Sequence, residues 1–367
     1  MEEKLSSVAK TFSPSLIQEL SHLAQRCNAI NLAEGFPAPP CIKQAGEMHG
    51  LNIGPLTDIA ICYGQSEAFA AAIFSIIDKG DEVLLFDPCY ATYEGSITIA
   101  GGIPVYVSLD PPQWTLDPAK FSSSFTSRTK AIVLNNPHNP TGKVFSREEL
   151  EVIAECCHRW DCIAITDDGV YEYITFDDQK NETIASLPEM QERTIITLSL
   201  SKTFSITEFR SYVYSAWRIG WAIAPASAAS AIRNIHVKIT DSAPAPFQEA
   251  ALTALSNQIL RNPENRISVE KRFLYEVARF NRFLDSVQAP EFLLFVEYVK
   301  ELIKQAGVLV VPGCGFFCGS DQPSDENCRY QQRYIRVAFC KSDATLSTAA
   351  LNFGELMNTG GCPKLYC

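Results

Sequence analysis

The 367-residue chain is 46% hydrophobic and 20% charged, the balance of a globular enzyme long enough for two domains. Its net charge of −11 disfavours a nucleic-acid partner, because phosphate backbones need a basic face. No apolar run reaches the roughly 18 residues that cross a bilayer, and the N-terminal Met1-Glu2-Glu3-Lys4 lacks an apolar signal core. A cytoplasmic protein without a membrane partner is therefore expected, with organellar targeting left open.

Residues 13–29 place Leu16, Ile17, Leu20 and Leu23 at helical spacing. The segment Asn31 to Pro37, followed by Pro39 and Pro40, cannot be regular. Its Gly35 lets backbone approach a ligand closely, the alternative being a plain interdomain loop. Ile59–Cys62 reads as a strand, Tyr63-Gly64-Gln65-Ser66 as a turn, and Glu67 to Lys79 as a helix capped by Gly80. A strand, a glycine turn and a helix start form an anion site, because free amides point outward there. The Walker and G-x-G-x-x-G patterns are absent, so a small phosphate fits better than a nucleotide.

A run of α/β units follows. Val83–Phe86 is a strand ending at Asp87-Pro88-Cys89-Tyr90, then come the apolar segment 97–100 and the strand Ile103–Val107. Ala131–Leu134 is a buried strand leading into Asn136-Pro137-His138-Asn139-Pro140. Ser146 and Glu149 spell a capping box, and Leu150, Ile153, Ala154 and Cys157 share one helix face. Cys162–Thr166 is a strand ending at Asp167-Asp168-Gly169-Val170-Tyr171. Residues 194–198 form another, leading into Ser199-Leu200-Ser201-Lys202-Thr203-Phe204-Ser205, and Trp221–Ala224 is one more. This alternation predicts an α/β fold, a mainly parallel sheet with helices on both faces. Ligands in such sheets bind beyond the carboxyl ends of the strands. Tyr90, Asn139, Asp168, Tyr171 and Lys202 all fall there.

The remainder is more helical, with stripes Phe273, Val277, Phe280, Leu284 and Phe292, Phe295, Val299, Leu302 that read as packing faces. Val308–Val311 is a strand broken at Pro312, and residues 334–339 alternate around Arg336. A buried arginine needs an anionic partner; a solvated edge arginine is the alternative. The 13 cysteines show neither C-x-x-C nor zinc spacing, so reduced thiols and no metal are expected.

The residues at the strand ends suit a pyridine aldehyde phosphate. Lys202 can hold the aldehyde as a Schiff base and later act as a general base. Asp168 can face the ring nitrogen, Tyr171 and Asn139 the ring oxygen, and Tyr90 can stack on the ring. Gly64, Gln65, Ser66, Ser199 and an arginine can hold the phosphate, and Arg336 a substrate carboxylate.

With these motifs in this order, the chain resembles the class I aminotransferases, fold type I pyridoxal 5'-phosphate enzymes. It is most similar to their kynurenine/glutamine/methionine branch. The resemblance rests on Asn31–Pro37, Asp87–Tyr90, Asn136–Gly142, Asp168–Tyr171, Ser199–Phe204, Trp217–Gly220 and Tyr334–Arg336. It implies a seven-stranded, mainly parallel sheet plus a smaller α+β domain. It also implies a homodimer with the active site at the subunit interface. The implied reaction moves an amino group from an aromatic, kynurenine-, methionine- or glutamine-like amino acid to a 2-oxo acid. Residues 1–50 would form an N-terminal arm and part of the small domain, 51–265 the large cofactor-binding domain and 266–367 the C-terminal small domain.

Four departures from the family pattern stand out. Between Pro40 and Tyr63 the chain lacks an Asn-Gln-Tyr segment whose tyrosine reaches the neighbouring subunit's phosphate. The extra residue in Asp167-Asp168-Gly169-Val170-Tyr171 points to Asp168 counting back from Tyr171, and to Asp167 after a one-residue slip. An insertion of about eight residues puts the local arginine motif at Arg218, while Arg210 keeps the family spacing from Lys202. The stretch from Ser286 to Phe292 is too short for a usual small-domain strand. These departures make a non-catalytic relative one alternative, and a carbon–sulphur lyase on the same scaffold another.

Overall fold

The structure, a computed structural model, describes residues 1–11, 51–90, 92–111, 113–167, 182–199 and 218–248. Toward the C-terminus it describes 303, 306–308, 311–312, 316–317, 335–336 and 343–358. The expected helix at 13–29, Gly35, Asp168, Tyr171, Lys202, Arg210 and the two apolar stripes lie outside the described residues.

The described chain forms two compact units. The first comprises Met1–Phe86 with Thr92–Arg261, and the second Asp87–Ala91 with Asn262–Cys367. In chain order the strands are β1 (Ile59–Cys62), β2 (Glu82–Asp87), β3 (Ile103–Ser108), β4 (Thr129–Asn135), β5 (Ile163–Asp167), β6 (Thr194–Ser199) and β7 (Gly220–Ile223). The helices among them are α1 (Ser7–Thr11), α2 (Gln65–Ile76), α3 (Thr92–Ile99), α4 (Pro118–Ser123), α5 (Arg147–Arg159) and α6 (Ala226–Thr240). The strands make one sheet in the order β1-β7-β6-β5-β4-β2-β3. Every residue of β2, β5, β6 and β7 is buried, which is why these strands read as continuous apolar runs rather than alternating ones. β3, at the sheet edge, is exposed or half-buried at all positions but one.

The expected alternation holds, with one reversal. β2, β4, β5 and β6 run parallel, but β7 runs antiparallel to both β6 and β1. Apolar periodicity carries no information about strand direction, so the reversal is invisible in the sequence.

On one face a core joins Phe86, Phe121, Phe125 and Phe145 to Leu150, Ile153 and Cys157 of α5. The Phe86 ring lies 5.1 Å from Phe145 and 5.7 Å from Phe121 between centroids. The Ser146–Glu149 capping box forms as the sequence predicts, each side chain bonded to the other's backbone amide. A second core gathers Ile59, Ile196, Leu198, Trp221 and Ile223.

Several boundaries differ from expectation. α2 starts two residues early and ends at Ile76, not Lys79. Its end is set by tertiary partners. The Asp78 carboxylate accepts Ser7 N–H at 2.9 Å and Ser7 Oγ–H at 2.6 Å, and Asp78 N–H donates to Asp81. Gly80 therefore caps nothing; it sits in a left-handed turn, φ +92, and donates to Gly101 O. The apolar stretch near 97–100 closes helix α3. In the second unit the strand expected at Val308–Val311 is found at Val311–Pro312 (β8), paired antiparallel with Ile335–Arg336 (β9). Asp343–Asn358 forms helix α7. Among the described residues no helix is long and apolar enough to cross a membrane.

Candidate active site

The site begins with a row of three residues across three strands. Cys62 of β1 lies opposite Gly220 of β7, and Gly220 lies opposite Ser199 of β6. The chain leaves β1 through Tyr63 and Gly64, turns with Gly64 at φ +82, and enters α2. That turn folds directly over Gly220. A Cβ there would stand 2.5 Å from Gln65 N and 2.8 Å from Leu198 O, so only glycine admits the approach.

Gly64 is the N-cap of α2 and supplies no side-chain acceptor to the first-turn amides. The positive end of this 12-residue helix is thus left for an external anion. Arg218 fills the same corner. A Cβ on Gly64 would lie 2.8 Å from its Cζ and Nη2. Its Nη2 donates to Tyr63 O at 3.4 Å, and its Cζ stands 5.7 Å from the Tyr63 ring centroid. Arg218 holds φ +50, a left-handed conformation that costs a non-glycine residue about 1 kcal/mol or more. Strain of that kind gathers where backbone shape serves a ligand. Ser199, buried, pairs with Gly220, the residue over which the turn folds. Gln65 is tied inward, its Nε2 donating to Thr197 Oγ1 at 3.4 Å, and Thr197 donates in turn to Thr166 O.

A second buried network crosses the carboxyl ends of β4 and β5. Tyr93 of α3 donates its hydroxyl to Asp167 Oδ2 at 2.6 Å. Asn135 donates to Asp167 O at 2.8 Å and accepts the Asn139 amide at 2.6 Å. The next residue back, His138, is buried, with Nδ1 2.8 Å from Thr141 Oγ1. Burial and then the Lys143 charge push its pKa down to about 3, so its imidazole is neutral across the physiological range.

Glu67, in the first turn of α2, anchors a third cluster. Its carboxylate accepts the Tyr63 amide and the Thr240 hydroxyl, and His236 Nδ1 lies 2.8 and 2.9 Å from its two oxygens. Burial alone would raise the Glu67 pKa, but these hydrogen bonds prevail and hold it below the usual carboxylate range. Burial, and secondarily Glu67, pushes the Cys62 thiol well up.

Gly64, Gln65, Ser66, Ser199 and Arg218 therefore share one corner of the first unit, and Asn139 is fixed to the adjacent strand ends. Tyr90 follows β2 within the second unit, where Cys89 N–H bonds Phe316 O at 2.8 Å. Arg336 lies in β9, opposite Val311. The sequence marks Gly220 only as the last residue of the Trp217–Gly220 motif and gives Tyr93, Asn135 and the Glu67 cluster no role. Only Gly220 left a signal, a glycine opening an otherwise apolar strand. Tyr93, Asn135, Glu67 and His236 are joined across long sequence separations that spacing does not encode.

This seven-stranded, mainly parallel sheet with helices between its strands is the fold of the pyridoxal-phosphate aminotransferases. The chain belongs to the aminotransferases of class I and II, whose family profile it matches over residues 14–352. It is 31% identical to the kynurenine–oxoglutarate transaminase of Dictyostelium discoideum, with 96% of each chain covered. It is 33% identical to the human kynurenine–oxoglutarate transaminase 1, covering 85% of this chain and 81% of that one. Among solved structures it is similar to the N-succinyldiaminopimelate aminotransferase of Mycobacterium tuberculosis, with TM-score 0.74 and 29% identity over 96% of this chain and 99% of that one. It is also similar to YbdL of Escherichia coli, for which a methionine aminotransferase function is described. That match has TM-score 0.72 and 26% identity, over 94% and 98% of the two chains. The protein is thus an aminotransferase, an enzyme acting on an amino acid and an oxo acid, of a family that works with pyridoxal phosphate.

The corner around Gly64 fits that cofactor's phosphate on its own chemistry. It offers a guanidinium, a helix N-terminus without a side-chain cap and a serine hydroxyl, and the bare glycines let backbone amides come close.

Proposed function

We propose that this protein binds pyridoxal 5'-phosphate and transfers the amino group of a kynurenine-like aromatic, methionine-like or glutamine-like amino acid to a 2-oxo acid. It would do so as a cytoplasmic homodimer. The observation that carries the cofactor assignment is the Arg218 guanidinium lodged against Gly64 at the start of α2, where Gly220 pairs with Ser199, itself three residues before Lys202. The donor class is supported by the names of the relatives, kynurenine–oxoglutarate transaminases above all.

In this reading Gly64, Gln65, Ser66, Ser199 and Arg218 bind the phosphate. Tyr90 would pack on the ring, and Asn139 and Tyr171 would hold its oxygen. Gly35, Asn139 and Arg336 receive the substrate carboxylate. The bound cofactor supplies an electron sink for the pair released at the substrate Cα. Lys202 would hold the cofactor's aldehyde, and its amine could move the proton at the substrate Cα. A carboxylate facing the ring nitrogen keeps it protonated. Asp168 fits by counting back from Tyr171, but the buried, Tyr93-bound carboxylate at the β5 end belongs to Asp167, which favours that residue.

Two measurements test this. Titrating the purified protein with pyridoxal phosphate should give a near-visible absorbance band that free cofactor lacks and that Lys202→Ala abolishes; no band in the wild type would end the assignment. Asp167→Asn should lower kcat by at least about 100-fold, a cost of the order of one buried charge-assisted hydrogen bond or more. Asp168→Asn should retain most activity, and the opposite ranking would restore Asp168 to the role.

A further inference from the structure

The cluster behind the phosphate corner has no part in the roles assigned so far. Glu67 projects from the first turn of α2, and His236 and Thr240 lie one turn apart on α6. Both carboxylate oxygens are engaged. Oε1 accepts Thr240 Oγ–H at 2.7 Å, Oε2 accepts Tyr63 N–H, and His236 Nδ1 is within 2.9 Å of both. The side chains of His236 and Glu67 are 7% and 10% exposed, so water competes little for these bonds. Tyr63, the residue held, is also the one whose carbonyl and ring receive Arg218.

We propose that Glu67, locked by His236 and Thr240, is a positioning residue that clamps the Tyr63–Gly64 turn so that the α2 amides and Arg218 converge on one phosphate. The proposal rests on the cofactor reading above and deepens it. The logic is geometric. The Tyr63 amide precedes α2 and has no helical acceptor of its own. A Glu67 carboxylate fixed from the far side by α6 is rigid, so the amide it holds fixes where the turn crosses Gly220. Without the clamp the turn can lift, which moves Gly64 away from the Arg218 guanidinium. Only a ligand bearing a phosphate would register that loss.

The Sγ of Cys62 lies within 4.8 Å of the Glu67 and His236 ligand atoms, a set that could also hold a soft metal. The short hydrogen bonds already occupy the carboxylate and Nδ1, which favours the clamp.

The test compares pyridoxal phosphate with pyridoxal, which lacks the phosphate, by equilibrium titration of cofactor-stripped full-length protein. Glu67→Ala should weaken pyridoxal phosphate binding about 10-fold or more and leave pyridoxal binding unchanged, since a hydrogen bond to a charged group is lost behind the phosphate site alone. Glu67→Gln, which keeps an acceptor for Tyr63, should recover part of the loss, and His236→Gln should fall between. The amide of Tyr63 should exchange with solvent faster in Glu67→Ala and in His236→Gln even with no cofactor present, so that the clamp is read if one variant folds poorly. Equal weakening of both ligands, or unchanged exchange at Tyr63, would overturn the proposal. So would stoichiometric zinc that copurifies with the wild type and is lost in Cys62→Ala. A wild type that binds neither ligand defeats the cofactor reading itself, whereas a wild type that prefers the phosphate compound beside unaltered variants defeats the clamp alone.

Discussion

Gly220→Ala should destabilise the protein by about 3 kcal/mol or more, the upper range for overpacking a site that cannot relax. The new methyl would meet Gln65 N and Leu198 O, and the Gly64 carbonyl carbon more closely still. All three are backbone atoms, on a β-strand and at a helix start, so no flexible side chain can swing aside. The damage has two parts. The β1–β7–β6 ladder must spread, and the Tyr63–Gly64 turn must lift off the sheet. Urea denaturation should therefore show a lowered midpoint, and pyridoxal phosphate affinity should fall with it. Gly95→Ala is the matched control. Gly95 lies inside α3 with open space where a Cβ would go, and alanine there should be neutral or stabilising by up to about 1 kcal/mol. Similar midpoints for the two variants would contradict the close packing of the turn on Gly220.

Stability should also fall as pH drops below about 6.5, before any carboxylate is protonated. His138 titrates near 3 in the fold against an ordinary 6.5 in the unfolded chain. Between those values the unfolded state binds the extra proton and the native state does not. Each pH unit in that window therefore removes about 1.4 kcal/mol from the folding free energy. Native Glu67 and Glu82 are held below the ordinary carboxylate range, so their contributions are present above it and are lost only at lower pH. The two regimes are separable. Denaturant midpoints of the wild type should decline steadily from pH 6.5 to 5. A His138→Asn variant, less stable at neutral pH because it loses the packed ring, should be nearly flat over the same interval. Parallel slopes for the two proteins would refute the buried neutral imidazole. The loop concerned carries Asn139, so acid should loosen the site as well as the fold.

Much of the first unit was legible in the sequence because most of its strands, β2 and β5 to β7 above all, are buried on both faces. Such strands must be apolar throughout, and runs such as Ile132 to Leu134 announce themselves. The Ser146 capping box was legible for the same local reason, since both partners lie within one turn. What depended on distant partners was not. α2 ends early because Ser7 and Asp81 bind Asp78. The Asp167 carboxylate is marked out by Tyr93, 74 positions away, and Glu67 by His236, 169 positions away. Direction was hidden too, as β7 reads like its parallel neighbours and runs against them. The chemistry-bearing motifs were easier to see than their supports. Gly64, Ser199 and Arg218 carry residue types that stand out, while the groups that hold them do so through backbone contacts and buried bonds.

The pairing of β1 with β7 bears on the order in which the chain takes shape. Tyr63 and Arg218 stand 155 positions apart, and among the described residues β1 has no sheet neighbour other than β7. During synthesis the β1–β7 pairing must wait until residue 223 is made, a long loop closure that comes late in folding. The anion corner is assembled by that final closure and by nothing before it. On the proposed reading, cofactor capture would report on a finished sheet, and a partly folded chain, however compact, would have no place for the phosphate.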